Sequence, residues 1–248
     1  EPFLALNLTT KERNAITFVY NEINTFFPSL KVILTNYFDC FGDNLATVLE
    51  LPVHTLHLDL VRCPSQLDDI LESGKLKDNV KLSLGIVDGR NIWKNDFKKS
   101  LELIQKATDA LGHDRILIAP SCSLIHSPCD LDLETNDAVL TPEIKQWLAF
   151  AKQKLDEIVL LQNLALEEIS QVDSVSFLQN TLANENRKTS KLIHNEEVKY
   201  RVASIKCGDD QRENAFNIRR KKQIEALQLP LFPTTTIGSF PQTNEVRS

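Results

Sequence analysis

The chain has 248 residues, enough for one large domain or one and a half. Charged residues make up 25% of it and hydrophobic residues 42%, which is the ordinary balance of a soluble globular protein. The formal net charge of −6 argues against a protein built mainly to hold nucleic acid, and no apolar run approaches the ~20 residues that span a bilayer. We therefore expect neither nucleic acid nor a membrane as a partner.

The cysteines are odd in number and scattered along the chain: Cys40, Cys63, Cys122, Cys129 and Cys207. This pattern is typical of reduced thiols in a cytosolic enzyme and not of a disulfide framework. The first residues also lack the basic start and the apolar centre of a signal peptide. We therefore expect a cytoplasmic protein with free thiols. The sequence contains no methionine, which indicates a segment or a processed product.

Helices and strands alternate in the first two thirds of the chain. Thr9 and Glu12 have the spacing of a capping box, and apolar residues follow at helical spacing until Pro28. Residues 31–38 form a predicted strand whose apolar residues are continuous, as is usual in a parallel sheet covered on both faces. Further strands are predicted at 55–60, 80–87 and 115–119, and further helices at 44–51, 65–73, 96–111 and from Pro142 through Leu161.

Strands that alternate with helices in this way predict right-handed β–α–β units around a parallel sheet. Polar residues follow the strands, at the edge that carries the working surface of a (β/α)8 barrel. Because the predicted strands are too few to close such a barrel, we predict an α/β fold that forms half of one.

The rest of the chain changes character. Residues 168–228 are rich in charge and predict two or three amphipathic helices, typical of a connector between domains. Three threonines and an isoleucine then form a short predicted strand, bracketed by Pro233 and Pro241. Gly238 and Ser239 would turn the chain there, where a backbone N–H and a hydroxyl could face a ligand.

Two segments at strand ends are candidate sites. The loop of residues 88–93 could line a substrate mouth. An Asp-Gly turn in which Arg90 neutralises neighbouring carboxylates explains the same residues, and we favour the turn. Cys122 could be a nucleophile or a metal ligand, since it is close in sequence to His126 and Cys129, a set of residue types that binds metals. Their spacing matches no known zinc ribbon, so we favour a buried free thiol at Cys122.

Other candidates have simpler interpretations. His57 alternates with Leu56 and Leu58 on a predicted strand, so we expect it to be structural. The basic run of residues 219–222 is typical of a solvated helix face. No Walker loop, Rossmann glycine fingerprint, HExxH or GxSxG motif is present, so the chemistry of the residues alone leaves the reaction open.

Five stretches together resemble the cobalamin-independent methionine synthases, the 5-methyltetrahydropteroyltriglutamate–homocysteine methyltransferases. They are Leu56-His57-Leu58-Asp59-Leu60-Val61, residues 85–93, residues 121–128, Trp147-Leu148-Ala149-Phe150-Ala151 and, most specifically, Pro233-Thr234-Thr235-Thr236-Ile237-Gly238-Ser239-Phe240-Pro241-Gln242-Thr243. The similarity runs nearly end to end, in the family's order and at roughly its spacing.

The resemblance implies a fold of two face-to-face (β/α)8 TIM barrels joined by a helical linker. It places residues 1–167 in the last half of the N-terminal barrel and residues 168–228 in the linker. Residues 229–248 would be the first strand of the C-terminal, catalytic barrel. The full-length protein is expected to be a monomer.

The resemblance also implies an activity. A zinc-dependent enzyme would transfer a methyl group from 5-methyltetrahydropteroyltri-L-glutamate, a methyltetrahydrofolate polyglutamate, to homocysteine. In this family an Ile-Gly-Ser sequence holds the amino-acid part of homocysteine or methionine, and it corresponds here to Ile237, Gly238 and Ser239. The family's zinc ligands and general acid lie outside this segment. We therefore expect no catalytic or metal-binding residue here, no activity of the segment alone, and Cys122 as a relic of barrel duplication.

Two alternatives remain open. The chain could be a non-catalytic half-barrel that acts as a structural or interaction module, which flanking sequence would reveal. It could also belong to another barrel enzyme of the decarboxylase type, although such an enzyme gives no reason for the Thr-Thr-Thr-Ile-Gly-Ser-Phe-Pro run. Because half a barrel has open sheet edges, we expect the isolated segment to associate or to be poorly soluble.

Overall fold

A computed structural model describes residues 1–166 and 170–234. The chain forms two compact units, Glu1–Ile193 and His194–Ser248. The described residues of the first unit build a sheet in the order β1, β2, β3, β4, with all strands parallel. The strands are Ile33–Thr35 (β1), Thr55–Asp59 (β2), Lys81–Val87 (β3) and Ile116–Pro120 (β4). The predicted α/β class with a parallel four-stranded sheet is confirmed.

Apolar side chains on both faces of the central strands form the core of the first unit. Every residue of β2 is buried, and in β3 only Lys81 is exposed. The register places Leu56 beside Leu82, and Leu84 beside Ile118. Burial on both faces is expected of a parallel sheet covered by helices, and it explains why the apolar residues of these strands are continuous in the sequence.

The first strand is shorter than predicted. Only Ile33–Thr35 pair with β2, whereas the sequence predicts a strand over residues 31–38. The backbone turns at Phe38, whose φ of 74° lies in the left-handed region. The Phe38 N–H donates to Asp59 Oδ2 at 2.8 Å. The Asp59 carboxylate, at the end of β2, thus takes the place of the backbone carbonyl that would accept this bond if β1 continued.

The first helices begin and end close to their predicted positions: Thr10–Phe26 (α1), Leu45–Glu50 (α2), Gln66–Ser73 (α3) and Phe97–Leu111 (α4). The capping box is confirmed, because the side chains of Thr9 and Glu12 each accept a hydrogen bond from the other residue's backbone N–H. Gly74 closes α3 with a φ of 61°, the left-handed conformation that favours glycine. Asp96, the first residue of the helix predicted over 96–111, is the N-cap of α4, but its side chain makes no capping bond.

The prediction of a single helix from Pro142 through Leu161 is wrong. The chain forms a short helix, Pro142–Lys145 (α5), and begins a second one at Ala151–Ala165 (α6). Between them, Leu148 forms an antiparallel bridge with Trp93, and the Lys94 N–H donates to the Trp147 carbonyl at 2.8 Å. These bonds and the burial of residues 147–150 outweigh the helical periodicity of the sequence.

Three further helices lie in the described part of the chain after residue 166: Gln171–Thr189 (α7), Glu196–Ala203 (α8) and Phe216–Leu227 (α9). This number agrees with the prediction for residues 168–228. Helix α7 belongs to the first compact unit, where it packs against α4 and α6, and the second unit contains α8 and α9. The strand predicted around residues 234–237 falls almost wholly outside the described residues. None of the helices described is long and apolar enough to cross a membrane.

We predict that Leu84→Ala destabilises the first unit much more than Leu117→Ala. Leu84 is 0% exposed, whereas Leu117 on β4 is 40% exposed. A cavity at a buried leucine lowers the free energy of unfolding by about 2–5 kcal/mol, and truncation of an exposed side chain changes it by roughly 0.5 kcal/mol. Urea unfolding followed by circular dichroism measures both losses, and equal losses would contradict the core described here.

Candidate functional site at the carboxyl edge of the sheet

The carboxyl ends of β1 to β4 meet at one edge of the sheet because the strands run in the same direction. Three polar residues close to these ends are almost fully buried: Asn36 is 2% exposed, Asp59 3% and Ser121 2%. In parallel α/β folds this is the edge that carries binding and catalysis. We call this edge, with the loops that follow the strands, the carboxyl edge.

The Asp59 carboxylate holds two loops of the carboxyl edge. Its Oδ2 accepts a hydrogen bond from the Phe38 N–H, at 2.8 Å, in the loop after β1. Its Oδ1 accepts from the Val61 N–H at 3.2 Å and the Arg62 N–H at 3.0 Å, in the loop after β2. Because three backbone donors satisfy it, the carboxylate can be buried without an ionic partner. Asp59 therefore positions the loops on either side of it.

His57 lies at the centre of a buried hydrogen-bond chain. Its Nδ1 is 2.9 Å from Ser83 Oγ on β3, and its Nε2 is 3.2 Å from the Ser121 carbonyl oxygen, just after β4. A carbonyl only accepts, so Nε2 carries the proton and Nδ1 accepts from the Ser83 hydroxyl. Burial lowers the pKa of His57, which favours the neutral ring. Ser121 Oγ in turn accepts from the Gly89 N–H at 3.2 Å. His57 is structural, as predicted.

Two glycines permit close backbone contacts at this edge. A Cβ atom on Gly85 would lie 2.5 Å from the Leu58 carbonyl oxygen and 2.9 Å from Ser121 Cα. A Cβ atom on Gly89 would lie 2.8 Å from the Cys122 carbonyl oxygen. Backbone atoms cannot move away without disturbing the sheet. The two glycines are therefore required by the packing of β3 and its loop against the neighbouring strands.

The loop of residues 88–93 is held by its own turn bonds. Asp88 Oδ1 accepts from the Arg90 N–H at 2.8 Å, and Asp88 Oδ2 accepts from Asn91 Nδ2 at 2.7 Å. The Asp-Gly turn that we favoured from the sequence is confirmed, but Arg90 forms no ion pair with a carboxylate among the described residues. The Arg90 guanidinium carbon lies 4.4 Å from the centroid of the Phe38 ring, which is a cation–π contact. Arg90 thus reaches from the loop after β3 to the loop after β1.

Two further rings lie against Phe38 at the surface, beside the Arg90 contact. The Phe38 ring centroid is 5.7 Å from that of Tyr37 and 6.0 Å from that of His126, in the segment after β4. Tyr37 also meets the His57 ring edge-on at 5.8 Å. We call Tyr37, Phe38, Arg90 and His126 the aromatic cluster. Planar and cationic groups arranged in this way can stack against a planar ligand.

Cys122 does not form a metal site with its neighbours in sequence. Its Sγ lies 3.7 Å from the Ser123 carbonyl oxygen, and burial raises the pKa of the thiol, which favours the protonated form. Cys129 is exposed, and His126 belongs to the aromatic cluster. Across residues 1–166 and 170–234, no group of three or more His, Cys, Asp or Glu side chains could hold a metal ion. These residues do not fit a zinc site, and the predicted buried free thiol at Cys122 is confirmed.

The prediction of free thiols is wrong for Cys40 and Cys63, which form a disulfide with a Cα–Cα separation of 5.3 Å. They are 23 residues apart in sequence. Because β1 and β2 are neighbours, the loops that follow these strands meet at the carboxyl edge. The spacing of the cysteines does not reveal this proximity, since it follows from strand pairing.

A buried pair of charged residues on α6 was missed at the level of the sequence. Lys154 is 1% exposed, and its Nζ donates to the Trp93 carbonyl at 2.9 Å and to Asn91 Oδ1 at 3.2 Å. Glu157 Oε1 accepts from the Asn95 N–H at 2.9 Å, and its buried Oε2 has no hydrogen-bond partner among the described residues. Both side chains hold the loop after β3. Nothing in the helical spacing of α6 distinguishes them from exposed charges.

Comparison with known proteins identifies the family. Residues 1–112 match the model of the N-terminal domain of the cobalamin-independent synthases. Over 248 residues, the chain is 74% identical to the 5-methyltetrahydropteroyltriglutamate–homocysteine methyltransferase of Flavobacterium johnsoniae and 54% identical to that of Cytophaga hutchinsonii. The chain belongs to the cobalamin-independent synthase family. A relative of the same name from Mesorhizobium japonicum is 44% identical over 248 residues. The chain is covered completely in each match but spans only 31–32% of the length of these relatives.

Membership of the cobalamin-independent synthases confirms the resemblance drawn from the five stretches. Two of these stretches, residues 56–61 and 85–93, lie within the residues that match the family model. They contribute His57, Asp59 and both glycines to the carboxyl edge. Ile237, Gly238 and Ser239, the predicted homocysteine-binding residues, lie outside the described residues, so their role stays a prediction.

We predict that Glu157→Gln removes the part of the pH dependence of the free energy of unfolding that lies between about pH 4.5 and 7. Burial raises the pKa of Glu157 to about 7 from its ordinary 4.5, and the Asn95 N–H bond, Lys154 and Lys94 offset this only in part. The stability that comes from the protonated carboxyl is fully present below pH 4.5 and is lost as the pH rises to about 7. Above that pH the variant should be more stable than the wild type by on the order of 3 kcal/mol.

Urea unfolding measured from acidic to mildly alkaline pH checks this expectation. Glu102→Gln is the matched control, because it neutralises an exposed residue of α4 and should leave the pH dependence of the wild type unchanged. The same pH dependence in Glu157→Gln and in the wild type would contradict the burial of an ionisable carboxyl at this position.

Proposed function

We propose that this chain is part of an enzyme that transfers a methyl group from 5-methyltetrahydropteroyltriglutamate to homocysteine and so makes methionine without cobalamin. The observation that carries the proposal is the 74% identity to the Flavobacterium johnsoniae methyltransferase over 248 residues. Because the chain spans 32% of that relative, we assign to it a part of the activity and not the whole.

The proposed reaction is attack of the homocysteine sulfur on the methyl group carried by N5 of the folate. The thiolate is the competent nucleophile, and a zinc ion bound elsewhere in the parent enzyme would supply charge that lowers the pKa of the thiol. The described residues do not fit a zinc site. We therefore assign the zinc ligands and the general acid to other parts of the parent enzyme, and to this chain the binding and positioning of its substrates.

Residues 1–167 are assigned to the last half of the N-terminal TIM barrel, residues 168–228 to the linker and residues 229–248 to the first strand of the catalytic barrel. The edges of the sheet support the first assignment. Within the described residues β1 pairs with β2 alone and β4 with β3 alone, and Ile33 and Leu117 on these outer strands are 57% and 40% exposed. Apolar edges of this kind accept further strands.

Ile237, Gly238 and Ser239 are assigned to the amino-acid part of homocysteine. Backbone groups and a hydroxyl at a strand end can bind a carboxylate without a dedicated cation. The support is the Thr-Thr-Thr-Ile-Gly-Ser-Phe-Pro run, whose glycine and serine lie at the expected end of a β-branched strand. We place the reaction in the cytoplasm, in an enzyme that is a monomer at full length.

We predict that the 248-residue chain alone forms no methionine when it is supplied with zinc, homocysteine and 5-methyltetrahydropteroyltriglutamate. The natural protein encoded by the full reading frame around these residues should form it. Mass spectrometry of the methionine product measures both. Turnover by the chain alone would contradict a partial role, and absence of turnover in both would favour a non-catalytic half-barrel module.

We further predict that Ser239→Ala in the natural protein raises the KM for homocysteine by about tenfold, because a hydrogen bond to a charged group is lost. The KM for the folate should change little. Ser204→Ala, which truncates an exposed serine of the second unit, is the matched control. Steady-state kinetics with each substrate varied in turn measures these constants. An unchanged KM for homocysteine would contradict the assignment of Ser239.

A further inference from the structure

The disulfide between Cys40 and Cys63 joins the loop after β1 to the loop after β2. Its two residues differ in exposure, since Cys63 is 3% exposed whereas Cys40 is only half-buried. Ser65 Oγ lies 3.7 Å from Cys63 Sγ. The less buried Cys40 is therefore the better target for an attacking thiolate, which makes the sulfur of Cys63 the leaving group.

We propose that Cys40 and Cys63 are a thiol–disulfide switch that a dithiol reductant opens. One thiolate of the reductant attacks Cys40 Sγ, the S–S bond breaks, and Cys63 leaves as a thiolate to which the Ser65 hydroxyl can donate. The second thiol of the reductant then attacks the mixed disulfide and releases Cys40. Two electrons and two protons pass from the dithiol to the protein, and a small-molecule disulfide such as oxidised glutathione reverses the exchange.

Opening the disulfide weakens the attachment of the loop after β1 without abolishing it. The Phe38 N–H still donates to Asp59, and the Phe41 N–H donates to Gln66 Oε1 at 2.6 Å in a buried bond. Neither cysteine lies in a strand, and neither belongs to the apolar cluster that packs on the sheet. The fold therefore persists in the reduced protein, while the loop gains freedom.

The loop that gains freedom carries half of the aromatic cluster. Phe38 is two residues before Cys40, and its ring contacts Arg90 and His126 from the loops after β3 and β4. Its φ of 74° is a conformation that a non-glycine residue keeps only under constraint, and the disulfide supplies part of that constraint. The aromatic cluster is thus assembled in the oxidised protein and loosened in the reduced one.

The switch depends on the geometry of the two loops and not on the proposed methyl transfer. It also removes a conflict with a cytoplasmic location. Structural disulfides are rare in the cytoplasm, and those that form there are mostly transient and redox-sensing.

Differential alkylation of the 248-residue chain tests the exchange itself. The folded protein is treated with or without dithiothreitol and is then denatured in iodoacetamide, so that buried thiols are also counted. The three free cysteines, Cys122, Cys129 and Cys207, should be labelled in both samples. Cys40 and Cys63 should be labelled together and only after reduction. Labelling of either one without reductant, or of one without the other, would overturn the proposal.

Hydrogen exchange tests the consequence for the loop. Reduction should speed the exchange of amides in residues 36–41 by about tenfold, while β2 and β3 keep their protection. Cys40→Ser should exchange at the fast rate with or without dithiothreitol, and Cys207→Ser, the matched control, should behave as the wild type. An unchanged exchange rate of residues 36–41 in the reduced wild type would show that the disulfide does not control the loop. Loss of protection throughout β2 and β3 would show that the disulfide stabilises the whole sheet. Either result overturns the proposal.

Discussion

At Gly85 the third strand approaches its neighbours so closely that no side chain fits. A Cβ atom there would collide with the Leu58 carbonyl oxygen and with the backbone of Ser121. Because these groups come together, His57 on β2 reaches both Ser83 and Ser121 with its two ring nitrogens. One buried, neutral imidazole thus joins β2 to β3 and to the segment after β4. The loops of the carboxyl edge start from strands that this contact holds in place.

The loops themselves are held by buried charge. The Asp59 carboxylate accepts three backbone N–H bonds from the loops after β1 and β2, and the Lys154 ammonium donates into the loop after β3. An isolated buried charge is costly, but backbone N–H groups satisfy Asp59, and the Trp93 carbonyl and the Asn91 side chain accept from Lys154. Such bonds specify loop conformations, which apolar packing does not. The residues that stabilise this edge are therefore also those that shape the aromatic cluster.

Local signals in the sequence were sufficient for most of the elements. The capping box at Thr9 and the left-handed glycine at position 74 mark helix ends through contacts between residues close in sequence. The break after Lys145 and the disulfide depend instead on segments that are distant in sequence and meet only in the folded chain. Lys154 has the spacing of an exposed helical charge, so its burial has no local signature. The chemistry of single residues left the reaction open, and five short stretches taken together indicated the family.

A crystal structure of the natural protein that contains this chain, with homocysteine bound, tests the assignment of fold and site most directly. We expect a closed barrel in which further strands pair with the outer edges of β1 and β4. We also expect the amino-acid end of homocysteine within hydrogen-bond distance of Gly238 or Ser239. Outer edges that remain unpaired, or homocysteine bound away from residues 237–239, would contradict the account.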